Sequence, residues 1–453
     1  MKRLLVISVL CCCTASSLTF FAGSVGARRQ VNDQSTGPNV NLKASGGFIQ
    51  LNEAEMKFKK WPDLIRELNG KAGMDTFIIQ GLFYHNGDVA RSHIALKKGS
   101  ININDPQYDP SMVVADDDPT NAILTYADQS YKNQDPADDI KVHIGLWMDE
   151  MPYGTVIGEP LKLEAYLKGV ADKMAKVADL AWNLYHQHPS FRGWYLPHEF
   201  WNFPYGDHSQ ASQAKGDMFK KFLRDIMAVC KTLNKKTEAG GRMPDRPVSI
   251  SVYFNPWLYM EYAGPDPTEE LYKTILANSG LDTLIVQDSV GTRCLWNEKL
   301  DNQRLENKRV NEMRPLVPRF MKAFSDAASA ASDRNHRINL WDDVELFEVI
   351  PDSGGCRGDQ PYNDSAPLRP TAIERLQWQF NLTLDPSTDQ RAVPFDAFVM
   401  FDLFHYLNTI VPEGYGTATG NTQALRTKLL NDYVQQISKP ARLPKERRVR
   451  GAK

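Results

Sequence analysis

The sequence predicts an α/β protein built as a single-domain (β/α)8 TIM barrel, and three observations lead to that class. Eight short apolar runs are spaced almost evenly between residues 46 and 407: GGFIQL, MDTFIIQGLFY, KVHIGLWMDE, FRGWYLPHEFW, PVSISVYFNP, LDTLIVQDSVG, HRINLWDDVELFE and FDAFVMFDLFHYL. Amphipathic stretches separate them, and the runs are nearly continuous in apolar residues, as expected of parallel strands covered on both faces. Finally, GMDTFIIQ at 73–80 and GLDTLIVQ at 280–287 share Gly, Asp, Thr, an apolar run and Gln. Each Gly suits a helix C-terminal cap, each Asp-Thr a turn, and each β-branched run a strand entry. The two phrases therefore read as equivalent βα modules half a barrel apart.

The elements follow in order. The start, MKRLLVISVLCCCTASSLTFFAGSVGA, has a basic head, an apolar stretch and a small-residue exit, the layout of a secretory signal over residues 1–26. Export to a periplasmic or extracellular location is expected. A membrane is a partner only if this segment stays on as an uncleaved anchor through residues 4–22, or as a lipid anchor at Cys11, Cys12 or Cys13. Residues 27–43 lack an apolar period and read as a flexible lead-in; the barrel spans 44–437. Apolar stripes mark helices at Trp61, Ile65 and Leu68, and at Leu163, Leu167, Val170, Met174, Val177 and Leu180. Further helices fit 210–235, 267–278, 306–331, 370–381 and 421–437. The long polar segment 85–118 suits a lid or binding wall, or else an unstructured insertion. The tail 438–453 carries seven basic residues and one acid and reads as a solvated, disordered end.

Composition narrows the partners. Apolar residues at 42% and charged ones at 24% allow a large core, and a net charge of -2 over 453 residues gives no general attraction to nucleic acid or anionic membranes. An uncharged or small partner is expected. Beyond the signal only Cys230, Cys294 and Cys356 remain. Cys294 and Cys356 follow neighbouring strands and are placed to bridge, with three unpaired thiols as the alternative. Cys230, within the helical pattern MFKKFLRDIMAVCKTL, reads as a buried free thiol. No Cys/His grouping has metal-ligand spacing, and no cofactor is expected.

The chemistry of such barrels sits where the strands finish, which brings Glu199 of the fourth run and Glu345 of the seventh to one face. Glycosidic cleavage needs one acid to protonate the leaving oxygen and a second carboxylate to attack or to activate water. Glu199 lies in the aromatic stretch Gly193-Trp194-Tyr195-Leu196-Pro197-His198-Glu199-Phe200-Trp201, which suits a general acid. Glu345, beside Asp342 and Asp343, is assigned nucleophile or base. Plainer roles exist: a rim salt bridge for Glu199, a helix-start carboxylate for Glu345. Asp342, Asp343 and Glu348 compete with Glu345, and Asp288 is either a substrate ligand, the actual partner of Glu199, or a turn former. Substrate contacts are expected from Gln50, Gln80, Trp147, Asp149, His198, Trp201, Tyr253, Asn255, Asp288, Asp402 and His405. Trp147, Trp201, Trp257 and Trp296 are placed to stack on sugar faces.

The positions of Glu199 and Glu345 resemble those of the large superfamily of retaining, sugar-cleaving barrels, although His198 stands where those enzymes commonly carry Asn. The phrases GGFIQLNEAE, GMDTFIIQ, RGWYLPHEFW, VSISVYFNP, LDTLIVQDSVG and NLWDDVELFE resemble, in this order, the glycoside-hydrolase-like barrel family catalogued as domain of unknown function 4434, from about residue 44 to about 437. The resemblance implies a carbohydrate-active barrel with Glu199, Asp288 and Glu345 at motif positions. The function expected is cleavage of O-glycosidic bonds in a polysaccharide or glycan. The alternatives are a non-catalytic carbohydrate-binding barrel and hydrolysis of another bond with Asp288 as the central acid. Retention asks for carboxyl groups about 5 Å apart and inversion for more, so the stereochemical course stays open.

Overall fold

Each apolar run contributes one strand to a closed, all-parallel ring. The computed structural model describes residues 43–438 apart from 52, 86–91, 102–111, 134–138, 150–158, 202–209, 237–245, 255–263, 289, 291–315, 350–367, 383–392 and 413–421. Residues 1–42, where a signal is expected, the tail, Cys294, Cys356, Asn255, Trp257 and Trp296 lie outside the described residues. The ring strands are β1 (Gly46–Ile49), β2 (Thr76–Ile79), β3 (Lys141–Gly145), β4 (Phe191–Trp201), β5 (Val248–Tyr253), β6 (Thr283–Gln287), β7 (Asn339–Glu345) and β8 (Ala397–Phe401). They neighbour one another in sequence order, and β8 closes on β1 through the pairs Gly46 with Val399 and Gly47 with Met400.

One main helix follows each strand: α1 (Trp61–Ala72), α2 (Pro119–Ala127), α3 (Pro160–Tyr185), α4 (Gln210–Asn234), α5 (Pro265–Leu276), α6 (Leu316–Ala331), α7 (Ile373–Asn381) and α8 (Gln423–Ile437). Their apolar stripes face the strands. In α1 the buried Trp61, Leu64, Ile65 and Leu68 recur at helical spacing, Pro62 sits in the first turn, and Gly73 ends the helix in the left-handed region at φ 64°. The predicted stripe of α3 is buried from Leu163 to Val177, with Leu180 half-buried. Cys230 is a buried free thiol on α4, and burial pushes its pKa up.

The repeated phrase adopts the same geometry twice. Gly73 and Gly280 both have positive φ, 64° and 80°. After each, the aspartate carbonyl accepts from the first residue of the next strand: Asp75 from Lys141 N at 2.6 Å, Asp282 from Asn339 N at 2.9 Å. Strands β2 and β6 are thus equivalent modules, four places apart in the ring.

Two layers of core result from the two-residue alternation of side chains. Outward residues pack against the helices in one continuous cluster. Inward ones fill the lumen: Phe48, Ile78, Tyr195, Ile285 and Val399 form a separate cluster, with Trp341 and Phe401 packed on it. Beside this cluster the ring of His143 lies 5.7 Å from that of Trp341. Gly193 makes room for it, since a Cβ there would sit 2.5 Å from His143 Nδ1.

The long segment after β2 forms a sheet. Strands Phe83–His85, His93–Lys97 and Val113–Ala115 join Trp147–Asp149 in a four-stranded sheet separate from the ring, so the described part of 85–118 contributes strands. After β7 a second ribbon pairs Phe347–Val349 with Leu368–Pro370.

Candidate active site

The alternation that fills the lumen decides which side chains reach its mouth. On β7, Trp341 packs in the lumen, so Asp343 and Glu345 continue the same face upward. On β1 and β2 the lumen residues Phe48 and Ile78 are followed by Gln50 and Gln80. On β4, Tyr195 lies in the lumen and Glu199 lies four residues on, across an irregular stretch. Leu196 pairs with Ile250 and Phe200 with Val252, so β4 carries two more residues than β5 between the same points. Such bulges re-aim side chains beside functional sites.

Glu199 is half-buried and accepts a hydrogen bond from Gln287 Nε2 at 2.9 Å. Gln287, at the end of β6, thereby ties the mouth of β6 to that of β4 over the half-buried Tyr253 of β5, with which it is in register. Glu345 is 5% exposed, and its main chain is held from behind by α7. Arg375 Nη2 donates to the Glu345 carbonyl at 2.8 Å, its Nη1 donates to the Phe347 carbonyl, and Gln379 Nε2 reaches the Glu345 carbonyl at 3.4 Å.

Asp343 lies between the two glutamates in electrostatic terms. It is 1% exposed, and burial followed by the charges of Asp288, Glu345, Asp342 and Glu199 holds its carboxyl well above the usual carboxylate range. Tyr195, directly on the lumen side of β4, is pushed up by burial and then by the charge of Glu199, with Asp343 adding to it. Its hydroxyl donates to Ser251 Oγ at 2.9 Å. Glu199 and Glu345 therefore act on the same buried group from different strands.

Several expected contacts are turned elsewhere. His198 has the opposite parity to Glu199 and packs outward among Tyr166 of α3, Phe222 of α4 and Phe200. Burial drops its pKa to about 4. Trp194 and Phe200 also face outward, so only part of the aromatic run around Glu199 lines the lumen. Asp288 has opposite parity to Gln287 and is fully buried, accepting from Val290 N at 3.0 Å and from the Gln379 amide. Burial, then the charge of Glu345, pushes it up to about 7. Trp147 and Asp149 belong to the four-stranded sheet: Trp147 is 2% exposed, stacks on Phe83 and lies under Lys173, while Asp149 is 3.4 Å from His85 Nδ1 and 3.6 Å from Lys173 Nζ. Asp402 caps the short helix Leu403–Tyr406 through Phe404 N and also binds His405, whose Nε2 meets Glu55 Oε1 at 2.7 Å. Trp201 pairs with Tyr253 through the backbone; its side chain lies outside the described part. Glu348, which competed with Glu345, is bound by Arg369 at 2.5 Å.

The mouth thus collects Gln50, Gln80, Glu199, Tyr253 and Glu345 from the expected set, with Asp343 beneath them. Gln287 and Arg375 were not foreseen. The repeat carried the signal for Gln287, because it aligns that residue with Gln80 at the end of an equivalent strand. Arg375 had none, since a helix position bonding to a distant carbonyl leaves no local pattern. Among the described residues no group of three or more His, Cys, Asp or Glu side chains is arranged to hold a metal ion. Likewise, no helix among them is long and apolar enough to cross a membrane.

Known proteins place this architecture. A structure provisionally assigned as an alpha-L-fucosidase of Bacteroides thetaiotaomicron is similar with a TM-score of 0.52 at 14% identity, covering 92% of this chain and 99% of its own. The GH10 structure of Paenibacillus barcinonensis has a TM-score of 0.39 at 10% identity, with 88% and 97% covered. At 14% identity the likeness to the first of these is one of fold alone. No curated protein matches the chain. A family model matches over residues 44–409, ending before α8 and so short of the stretch to residue 437 that the sequence phrases suggested. With most of its length inside that match, the chain belongs to the family described as domain of unknown function 4434 (DUF4434).

Proposed function

We propose that this chain is an exported glycoside hydrolase that cleaves O-glycosidic bonds of a polysaccharide or glycan, with Glu199 as general acid/base and Glu345 as nucleophile or base. One observation carries the reading. The two glutamates close strands three places apart in the ring, and both charges act on Asp343, a lumen residue 1% exposed. In a retaining course Glu199 gives its proton to the leaving oxygen while Glu345 attacks the anomeric carbon; water then cleaves the glycosyl ester, with Glu199 taking its proton. In an inverting course Glu345 instead deprotonates the attacking water. Gln50, Gln80 and Tyr253 offer amides and a phenol suited to sugar hydroxyls. The resemblance to the provisionally assigned fucosidase agrees with this class without fixing a sugar.

The test is a panel of glycans and aryl glycosides offered to the wild type, E199Q and E345Q. Wild type should release sugar. E199Q should fail on natural linkages yet keep part of its rate on aryl glycosides, whose leaving group needs little protonation, while E345Q should fail on both. Wild type that binds glycans by calorimetry and releases none would replace the enzyme with a carbohydrate-binding barrel. Export is tested separately, by the cell fraction in which the chain and the cleavage of residues 1–26 are found.

A further inference from the structure

The back of the site carries a charged side chain that the cleavage mechanism leaves without a task. Arg375 on α7 is fully buried. Its fork takes the carbonyls of Glu345 and Phe347, and its Nε donates to Gln379 Oε1 at 3.2 Å. Gln379 in turn donates to Asp288 and reaches the Glu345 carbonyl. The Asp288 amide closes the circuit on the Asp343 carbonyl at 3.2 Å. One guanidinium and one amide thus fix the ends of β6 and β7 together, on the side of Glu345 away from the lumen.

We propose that Arg375 is the positioning residue of Glu345, fixing the main chain on both sides of that carboxylate and supplying a positive charge behind it. This rests on Glu345 being the functional carboxylate proposed above. A planar fork holds two carbonyls from two nitrogens at a fixed spacing, whereas an ammonium offers its donors from a single point. The charge matters because the surroundings are acidic. Asp288 at the end of β6, Asp343 on β7 and Tyr406 after β8 all feel the charge of Glu345, and each of these groups is pushed up, with burial the first cause. Arg375 faces Glu348, Asp288 and Glu345; burial lowers its pKa, and these three charges oppose that drop. Its positive charge is thus the cation that this cluster of carboxylates faces from behind β7.

The two contributions separate in two variants. R375M removes fork and charge: kcat should fall at least about tenfold with KM nearly unchanged, and the acid limb of kcat/KM should move to higher pH. R375K keeps the charge, so its acid limb should stay with the wild type while kcat remains low. Should R375M fail to fold, Q379L tests the main-chain tie with the charge left in place: kcat should fall with the acid limb unmoved, and an unchanged kcat overturns the positioning role. An R375M that loses stability while keeping both kcat and limb would reduce Arg375 to a structural tie. Carbon-13 NMR of the Glu345 carboxyl, assigned by its loss in E345Q, reads the charge effect without any turnover. Its titration midpoint should rise in R375M and hold in R375K. A midpoint unmoved in R375M overturns the proposal. A moved midpoint in a protein that cleaves no glycan leaves the proposal standing and removes the hydrolase reading instead.

Discussion

Two acidic groups in this barrel are built oppositely. Behind β8, the carboxylates of Glu55 and Asp402 flank His405, and although burial alone would lower its pKa, Asp402 and then Glu55 lift it to about 10. Positive charge there meets negative charge within a buried triad. At the lumen mouth, Glu199, Asp343 and Glu345 gather with an amide, Gln287, and the charges acting on Asp343 are all negative. The first arrangement ties the helix Glu53–Met56 to the helix after β8. In the second, burial and neighbouring carboxylates hold Asp343 well above the usual carboxylate range, so this acid keeps its proton where an exposed one would lose it.

The difference can be attacked from both sides. The largest expected effect is at the mouth: E199Q should lower glycan cleavage by roughly 10²–10⁴-fold, as loss of a general acid does, with an unchanged melting curve. In the triad, H405L leaves two carboxylates buried without their partner and should cost about 3–5 kcal/mol, measured by denaturant unfolding. Its pH signature follows from the raised His405 pKa. That contribution is complete below the ordinary value of 6.5 and is lost as pH rises through about 10, so wild-type stability should fall across this window and H405L should not. Back at the mouth, Q287L removes a donor to Glu199 and should lower kcat/KM by about tenfold, the worth of a hydrogen bond to a charged group. Because the lost bond favoured the ionised form, the alkaline limb should move up. The smallest effect belongs to D343N. An infrared difference between wild type and D343N at neutral pH should contain the C=O stretch of a protonated carboxyl; its absence would leave Asp343 ionised in the lumen and undo the contrast.

Much of the ring was legible in the chain. Apolar runs of strand length and stripes of helical spacing report burial on two faces or one, and burial is what a barrel imposes on its elements. The repeat reported backbone geometry as well, because Gly73 and Gly280 need positive φ and their Asp-Thr turns repeat one hydrogen-bond scheme. The mouth was legible in part. Strand ends named Gln50, Gln80, Glu199, Tyr253 and Glu345, but adjacent residues in a strand point to opposite faces, and a slip of one exchanges lumen for helix layer. His198 and Asp288 were lost in that way, each one position from a lumen residue. Trp147 and Asp149 were lost because β3 stops at Gly145 and the chain then joins another sheet.

By itself the sequence determined the number and order of the ring strands, most of the helices between them and the presence of two glutamates near strand ends, since periodicity is a local consequence of which faces are covered. Only the tertiary structure decided which acids share an enclosed volume, which are balanced by a cation, and that Arg375 stands behind Glu345. Those are facts of distance through space between residues as far apart as Glu55 and His405, and electrostatic energy depends on that distance and on the exclusion of water, neither of which is written in the neighbours along the chain.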